Sequence, residues 1–164
     1  MAMVYSKEPC VVAGTFTKNL YKAAPVVWCK QIVESGKPVH AIVANSGVAN
    51  ACTGGEGLEY CRGTAEKASE LLGIPADSVL LGSTGVIGKQ MPMDKLEKGV
   101  ELLAASLGDT EELATAAAKA IMTTDTKEKQ IAVEIEIDGK PVTIGGMAKG
   151  SGMIHPDMCT MLAF

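Results

Sequence analysis

Short apolar runs alternate along this chain with longer stretches of helical periodicity. Residues 11–16 and 38–44 are β-branched or apolar runs bounded by Lys, Gly, Asn or Ser, the pattern of buried strands. Residues 26–33 fit a strand or a helix equally. Across residues 58–72, Leu58, Cys61, Ala65, Ala68, Leu71 and Leu72 recur at helical spacing, and Gly73 followed by Pro75 supplies the stop. Residues 78–83 form another apolar strand, which runs into the loop Gly82-Ser-Thr-Gly-Val-Ile-Gly-Lys, whose small residues let backbone N–H groups face a ligand. Helices are expected over residues 92–107 and 110–122, the second opened by Asp109 in the N-cap place with Glu112 three positions on. Ile131-Ala-Val-Glu-Ile-Glu-Ile alternates apolar and polar side chains, and Asp138-Gly139 turns it into Val142-Thr-Ile as a hairpin. The order strand, helix, strand, helix, helix, hairpin predicts a mixed α/β domain with a partly antiparallel sheet covered by helices.

Composition sharpens this picture. The 164 residues fit one domain, and with 47% hydrophobic residues but only one Trp, three Tyr and two Phe, the core must be aliphatic. Fifteen Lys and Arg face 19 Asp and Glu, a net charge of −4, which argues against a nucleic-acid surface. No apolar run approaches the roughly 18 residues that span a bilayer, and the first residues lack a leader pattern, so a cytoplasmic protein is expected. The five cysteines are scattered without a Cys-x-x-Cys pair, against both a disulfide framework and a zinc site. Reduced, mostly buried thiols follow. His40 lies against an apolar run as a structural histidine, and His155 precedes Pro156 as a turn residue, so no metal site is expected.

Several segments carry candidate chemistry. Gly82 to Lys89 resembles a phosphate loop, but five residues separate Gly82 from Gly88-Lys89 where the motif needs four, and Gln90 follows the Lys. A tight glycine turn or a set of donors for an oxyanion remain. Asn45-Ser-Gly-Val-Ala-Asn-Ala-Cys-Thr-Gly-Gly suits either an ordinary loop or one facing a polar ligand. Cys52 within it has no recognisable histidine partner, and neither Cys52 nor either His is expected to be catalytic. Met122-Thr-Thr-Asp-Thr-Lys fits backbone capping at a helix end or substrate binding. In the last segment Lys149 stands among glycines and Thr160 lies within an apolar end, and a continuation beyond Phe164 is expected.

Together, Lys22-Ala-Ala-Pro, Asn45-Ser-Gly with Ala51-Cys-Thr-Gly, Gly82-Ser-Thr-Gly-Val-Ile-Gly, Ile121-Met-Thr-Thr-Asp-Thr, Lys149-Gly-Ser-Gly-Met-Ile-His-Pro and Met-x-Thr160-Met-Leu cover nearly the whole sequence. In order and spacing they resemble the ornithine acetyltransferase family of arginine biosynthesis, also called glutamate N-acetyltransferase, whose precursors cut themselves. The resemblance implies that family's α/β fold and a cut between Cys159 and Thr160. An α segment, residues 1–159, would end there, and a β segment would begin with residues 160–164, its remainder lying outside this sequence, as would the family's opening segment before Met1.

The resemblance further implies that Thr160 is the nucleophile, taking acetyl from N-acetylornithine and passing it to glutamate in a ping-pong reaction without metal or resident cofactor. Thr84 and Gly85 match the family's oxyanion hole, and Thr123 and Lys149, with Thr160, its substrate contacts. Lys149 suits a substrate carboxylate. Some members also accept acetyl-CoA as a co-substrate. The implied partners are the β segment of the same precursor and a heterotetramer of two α and two β segments. The sequence departs from the usual pattern at Cys159 (usually Ala), Asp157 (usually Asn) and Val48 (usually Asn). Two alternatives stand beside this one: a self-cleaving Thr or Ser aminopeptidase, which passes its acyl group to water, and a non-catalytic assembly fragment.

Overall fold

The computed structural model describes residues 1–152 and 161–164. The first strand, β1 (Ala2–Cys10), buries only Ala2 and Met3 and pairs antiparallel with β2 (Val39–Val48). Its polar second half hides it from a pattern search. The strand expected over residues 11–16 is absent, and Val11 is fully exposed. The reason is register: Cys10 pairs with Val39, where β2 begins, so the chain beyond Cys10 runs past the end of its partner.

The ambiguous residues 26–33 belong to a helix, α1 (Ala24–Ser35), with Pro25 in its first turn and Gly36 closing it at φ 68°. Tertiary contacts favour this form. From α1, Trp28 Nε1 donates to the Val79 carbonyl at 2.9 Å, and Cys29 Sγ lies 3.1 Å from both the Leu81 N–H and the Leu81 carbonyl. Those backbone groups sit on the free edge of β3 (Val79–Val86), so the helix satisfies polar groups that a fourth strand would otherwise have to meet. Burial pushes the Cys29 thiol up to about 11, keeping it a neutral S–H.

Helix α2 (Glu56–Leu72) crosses from β2 to β3, which pair in parallel from Ala41 beside Val79 to Val48 beside Val86. Both strands are longer than expected. Residues 38–44 continue to Val48, and residues 78–83 to Val86, so the Asn45 and Gly82 motifs begin as strand ends rather than loops.

Then come α3 (Met93–Ala105) and α4 (Glu111–Ala120). Thr110, not Asp109, caps α4: Thr110 has extended φ and ψ, and its Oγ1 accepts the Leu113 N–H at 3.3 Å. The expected hairpin is β4 (Lys129–Ile137) and β5 (Lys140–Lys149), joined by Asp138 and Gly139 at φ 53° and 74°. A two-residue strand, β6 (Leu162–Ala163), pairs with the end of β5.

The fold is thus mixed α/β, with the strands divided between a three-stranded mixed sheet, β1-β2-β3, and a three-stranded antiparallel one, β4-β5-β6. One face of the first sheet packs Met3, Ala41, Val43, Val79 and Leu81 against Cys61, Ala65 and Ala68 of α2 and Val100 of α3. Val79 and Val100 are wholly buried, each worth about 1.5–3 kcal/mol. The other face presents Ala2 and Ala44 to Ile121, with Ala117, Ala120, Met147 and Phe164 around them. Small side chains there let α4 and the second sheet approach.

The hairpin leaves an apolar face bare: Ile131, Val133, Ile135 and Ile137 of β4 share it with Val142 and Ile144, all between 37% and 69% exposed. Among the described residues the thiols divide evenly, Cys29 and Cys61 inside or half-inside and Cys10 and Cys52 exposed, rather than lying mostly in the core. Among those residues no helix is long and apolar enough to cross a membrane.

The cap assignment is directly testable. Thr110→Ala should cost about 1 kcal/mol in urea denaturation, whereas Asp109→Ala should cost less than half of that. A larger loss at Asp109 would return the cap to that residue.

Candidate functional site

Parallel register brings two of the sequence motifs side by side. Asn45 lies beside Ser83, Ser46 beside Thr84, and Gly47 beside Gly85. Strand alternation then sorts them by face. Asn45 and Ser83 share the face of Val43 and Leu81; Asn45 Oδ1 accepts the Ser83 hydroxyl at 2.7 Å, and its Nδ2 donates to the Val48 carbonyl at 2.8 Å. Ser46 and Thr84 share the opposite face with Ala44 and Gly82.

Thr84 is 1% exposed, yet its Oγ1 has no hydrogen-bond partner among the described residues. Burying an unsatisfied hydroxyl costs about 1–3 kcal/mol, which makes this atom a candidate donor. Next to it Gly85 adopts φ 132°, and a Cβ there would collide with the Gly47 carbonyl carbon and oxygen. Only glycine allows this backbone contact.

The Asn50 loop does not present its polar side chains to a ligand. Asn50, 2% exposed at φ 50°, donates through Nδ2 to the Gly57 carbonyl at 2.9 Å and accepts the Thr53 hydroxyl at 2.9 Å, while its own carbonyl takes the Ala24 N–H at 3.1 Å. It ties the starts of α1 and α2 to the end of β2. The glycine turn after β3 is also committed inward, with the Gly88 N–H donating to the Ala51 carbonyl at 2.8 Å. That bond takes the Gly88 N–H away from any ligand. Cys52 is exposed at φ 59°, and burial pushes the Cys61 thiol, which Asn50 contacts, up to about 12. His40 donates to the Ser6 carbonyl at 3.0 Å, a structural role as expected.

Thr123 and Lys149 come from different elements, and one carboxylate bonds the Thr123 N–H and the Gly150 N–H next to Lys149. Thr123 follows α4; Lys149 ends β5, is 2% exposed, and donates through Nζ to the Gly150 carbonyl at 2.6 Å. Between them Asp125 Oδ1 accepts the Gly150 N–H at 2.8 Å and Lys129 Nζ at 2.6 Å, and Oδ2 lies 3.5 Å from the Thr123 N–H. The Lys129 ammonium foremost, with the Gly150 and Thr123 N–H groups, holds this carboxyl down to about 2 against the opposing effect of burial. The backbone capping expected of the Thr-Thr-Asp-Thr segment is present, but it reaches 25 residues ahead to Gly150 as well as locally. Asp125 was not singled out from sequence; its signal was a carboxylate placed four residues before a lysine and just after a helix.

The two clusters are connected. Ser46 Oγ donates to the Ala120 carbonyl at 3.0 Å, one step along the strand pair from the Gly47 and Gly85 contact. A Cβ on Gly82 would lie 3.1 Å from Phe164 Cζ and 3.6 Å from Leu162 Cδ1, so the strand after the expected junction packs on the face that carries Thr84. The assignments of Cys159, Thr160 and His155 lie outside the described residues. Among the described residues no three His, Cys, Asp or Glu side chains gather in a group able to hold a metal ion.

Comparison with known proteins shows which sequences and structures the chain is similar to. The chain is 48% identical over its whole length to an arginine biosynthesis bifunctional protein ArgJ of Thermotoga neapolitana, covering 41% of that protein. It is 51% identical to the ArgJ of Symbiobacterium thermophilum, covering 40% of it. The chain therefore spans about two fifths of the length of these curated relatives. Among solved structures, ArgJ of Bacillus halodurans matches with a TM-score of 0.86 at 38% identity, over 98% of this chain and 81% of that one. The ornithine acetyltransferase of Mycobacterium tuberculosis complexed with ornithine matches with a TM-score of 0.87 at 41% identity, over 94% of this chain and 81% of that one. Since the sequence model of the ArgJ family matches residues 1–164, the chain belongs to the ArgJ family.

Proposed function

We propose that this chain is the α portion of an acetyltransferase that moves an acetyl group from N-acetylornithine to glutamate through an acetyl-Thr160 intermediate, after cleavage between Cys159 and Thr160. The observation that carries this reading is the buried, unpartnered Thr84 hydroxyl on the sheet face against which Leu162 and Phe164 pack. Leu162 and Phe164, just after the expected junction in sequence, pack on the face that carries Thr84, which supports this reading. Lys149 is the ladder partner of Leu162 in the same segment.

In the maturation step Thr160 Oγ attacks the Cys159 carbonyl, the acyl group shifts from nitrogen to oxygen, and water hydrolyses the ester to leave a Cys159 carboxylate and a free Thr160 α-amine. An α-amine titrates near pH 8, so at neutral pH it can take the proton of its own hydroxyl, which an amide nitrogen cannot. Thr160 Oγ then attacks the acetyl carbonyl of N-acetylornithine. Thr84 and Gly85 stabilise the oxyanion, ornithine leaves with the proton, and the amine of glutamate takes the acetyl from Thr160. Lys149 and Thr123 hold the amino acids. Acetyl-CoA enters this scheme as an alternative donor, and no resident cofactor is required.

Two observations support a second segment as partner. The chain covers 81% of the matched crystal chains but 40–41% of the curated relatives, so those crystal chains are about half the relatives' length, as expected when one precursor yields two pieces. The bare isoleucine and valine face of β4 and β5 suits such a segment. A heterotetramer of two α and two β segments in the cytoplasm completes the reading.

In the full-length polypeptide, mass spectrometry should find a new N-terminal Thr160, and Thr160→Ala should abolish both cleavage and transfer, while Cys52→Ala keeps the acetyl-enzyme burst. Intact precursor with full transferase activity would overturn the scheme; acetate released in place of N-acetylglutamate would point to the aminopeptidase alternative.

Thr84→Ala should lower kcat and kcat/KM together by about 100-fold to 1,000-fold with KM little changed, since its hydroxyl meets charge that develops only in the transition state. Lys149→Ala should chiefly raise KM for both amino acids in steady-state assays, because it meets a carboxylate present throughout. The reverse pattern would exchange the two roles.

A further inference from the structure

Asp125 has no part in the reaction just described, yet its side chain is 2% exposed and joins three separate pieces of the fold. We propose that Asp125 is a positioning residue that sets the spacing between Thr123 and Lys149, an inference that rests on the acetyltransferase reading of those two residues.

Each side of the brace is anchored independently. On the Thr123 side, Ile121 is wholly buried and Ser46 bonds the Ala120 carbonyl. On the Lys149 side, the β4 and β5 ladder runs from Ile137 beside Lys140 to Lys129 beside Ala148. The Asp125 carboxylate crosses from one to the other through the Gly150 N–H at 2.8 Å, a charge-assisted bond sheltered from water. The Lys129 partner is 53% exposed, and an ion pair with so open a member contributes little by itself. The enclosed bond to Gly150 is therefore the working one.

The glycines after Lys149 are shaped to this contact. A Cβ on Gly150 would stand 2.9 Å from Asp125 Oδ1, and one on Gly152 would stand 3.2 Å from Thr124 Cβ. Lys149-Gly-Ser-Gly can lie along the Thr124-Asp125 turn only because those two positions lack side chains. The glycine spacing and the Thr-Thr-Asp segment, far apart in sequence, thus serve one contact. Without the carboxylate both anchored sides keep their own bonds, so its loss should alter their separation more than their stability.

The test uses the full-length polypeptide, with rates normalised to the fraction carrying an N-terminal Thr160 and with N-acetylornithine and glutamate varied in turn. Asp125→Ala should raise KM for both amino acids about tenfold or more and leave kcat within about threefold, the signature of displaced ground-state contacts. Asp125→Asn, which keeps an acceptor for the Gly150 N–H, should recover most of the lost affinity. Wild-type KM values in Asp125→Ala, or a fall in kcat alone, would overturn the inference. Should Asp125→Ala fail to fold, Asp125→Glu keeps the charge but adds a methylene that the 2.8 Å bond cannot accommodate, and it should raise KM; an unchanged KM there would equally overturn it. A wild-type protein that transfers no acetyl group would sink the acetyltransferase reading itself, whereas an active wild type with indifferent Asp125 variants would sink only the positioning role.

Discussion

The contact between Gly85 and Gly47 is the constraint on which the candidate site depends. Two parallel strands come so close there that neither Cβ nor any side chain fits at Gly85, and the backbone takes a φ of 132° to achieve it. Because parallel pairing is continuous from Ala41 to Val48, this contact aligns Thr84 with Ser46 and Asn45 with Ser83. A shift of β3 by one residue would exchange its faces and turn Thr84 toward the α2 helix. The register thus decides which face the Thr84 hydroxyl occupies.

Polar side chains along this strand pair and its loop are satisfied, which gives the lack of a partner at Thr84 meaning. Asn45, Asn50, Ser46, Ser83 and Thr53 all spend their side chains on internal hydrogen bonds. Even the open edge of β3 is met by Trp28 and Cys29. Against that background an orphaned hydroxyl is costly, and such costs persist where a bound species or a transition state offsets them.

The second requirement is that two sheets and α4 close around that hydroxyl. Ala2, Ala44 and Gly82 keep the face shallow enough for Ile121, Leu162 and Phe164 to reach it. Charge enters from the other direction, where the Asp125 carboxylate draws the end of β5 against the turn after α4. Aliphatic packing thus lies on one side of the candidate site, and an enclosed carboxylate joins the segments on the other.

Local pattern was enough to show the helices α2, α3 and α4, the Asp138-Gly139 hairpin and the mixed α/β class, because periodicity and turn chemistry act over a few neighbouring residues. The motifs also carried the family, with Thr84, Gly85, Thr123 and Lys149 among them. Sequence alone could not reveal β1, whose Ser-Lys-Glu half is a strand only because β2 lies beside it, nor the helical state of residues 26–33, which Trp28 and Cys29 settle by bonding to β3. Nor could it show that Asn50 turns inward or that Asp125 reaches Gly150. Those depend on contacts between residues far apart along the chain, and a pairing of that kind leaves no period in either partner; only the folded chain, by fixing register and distance, decides it.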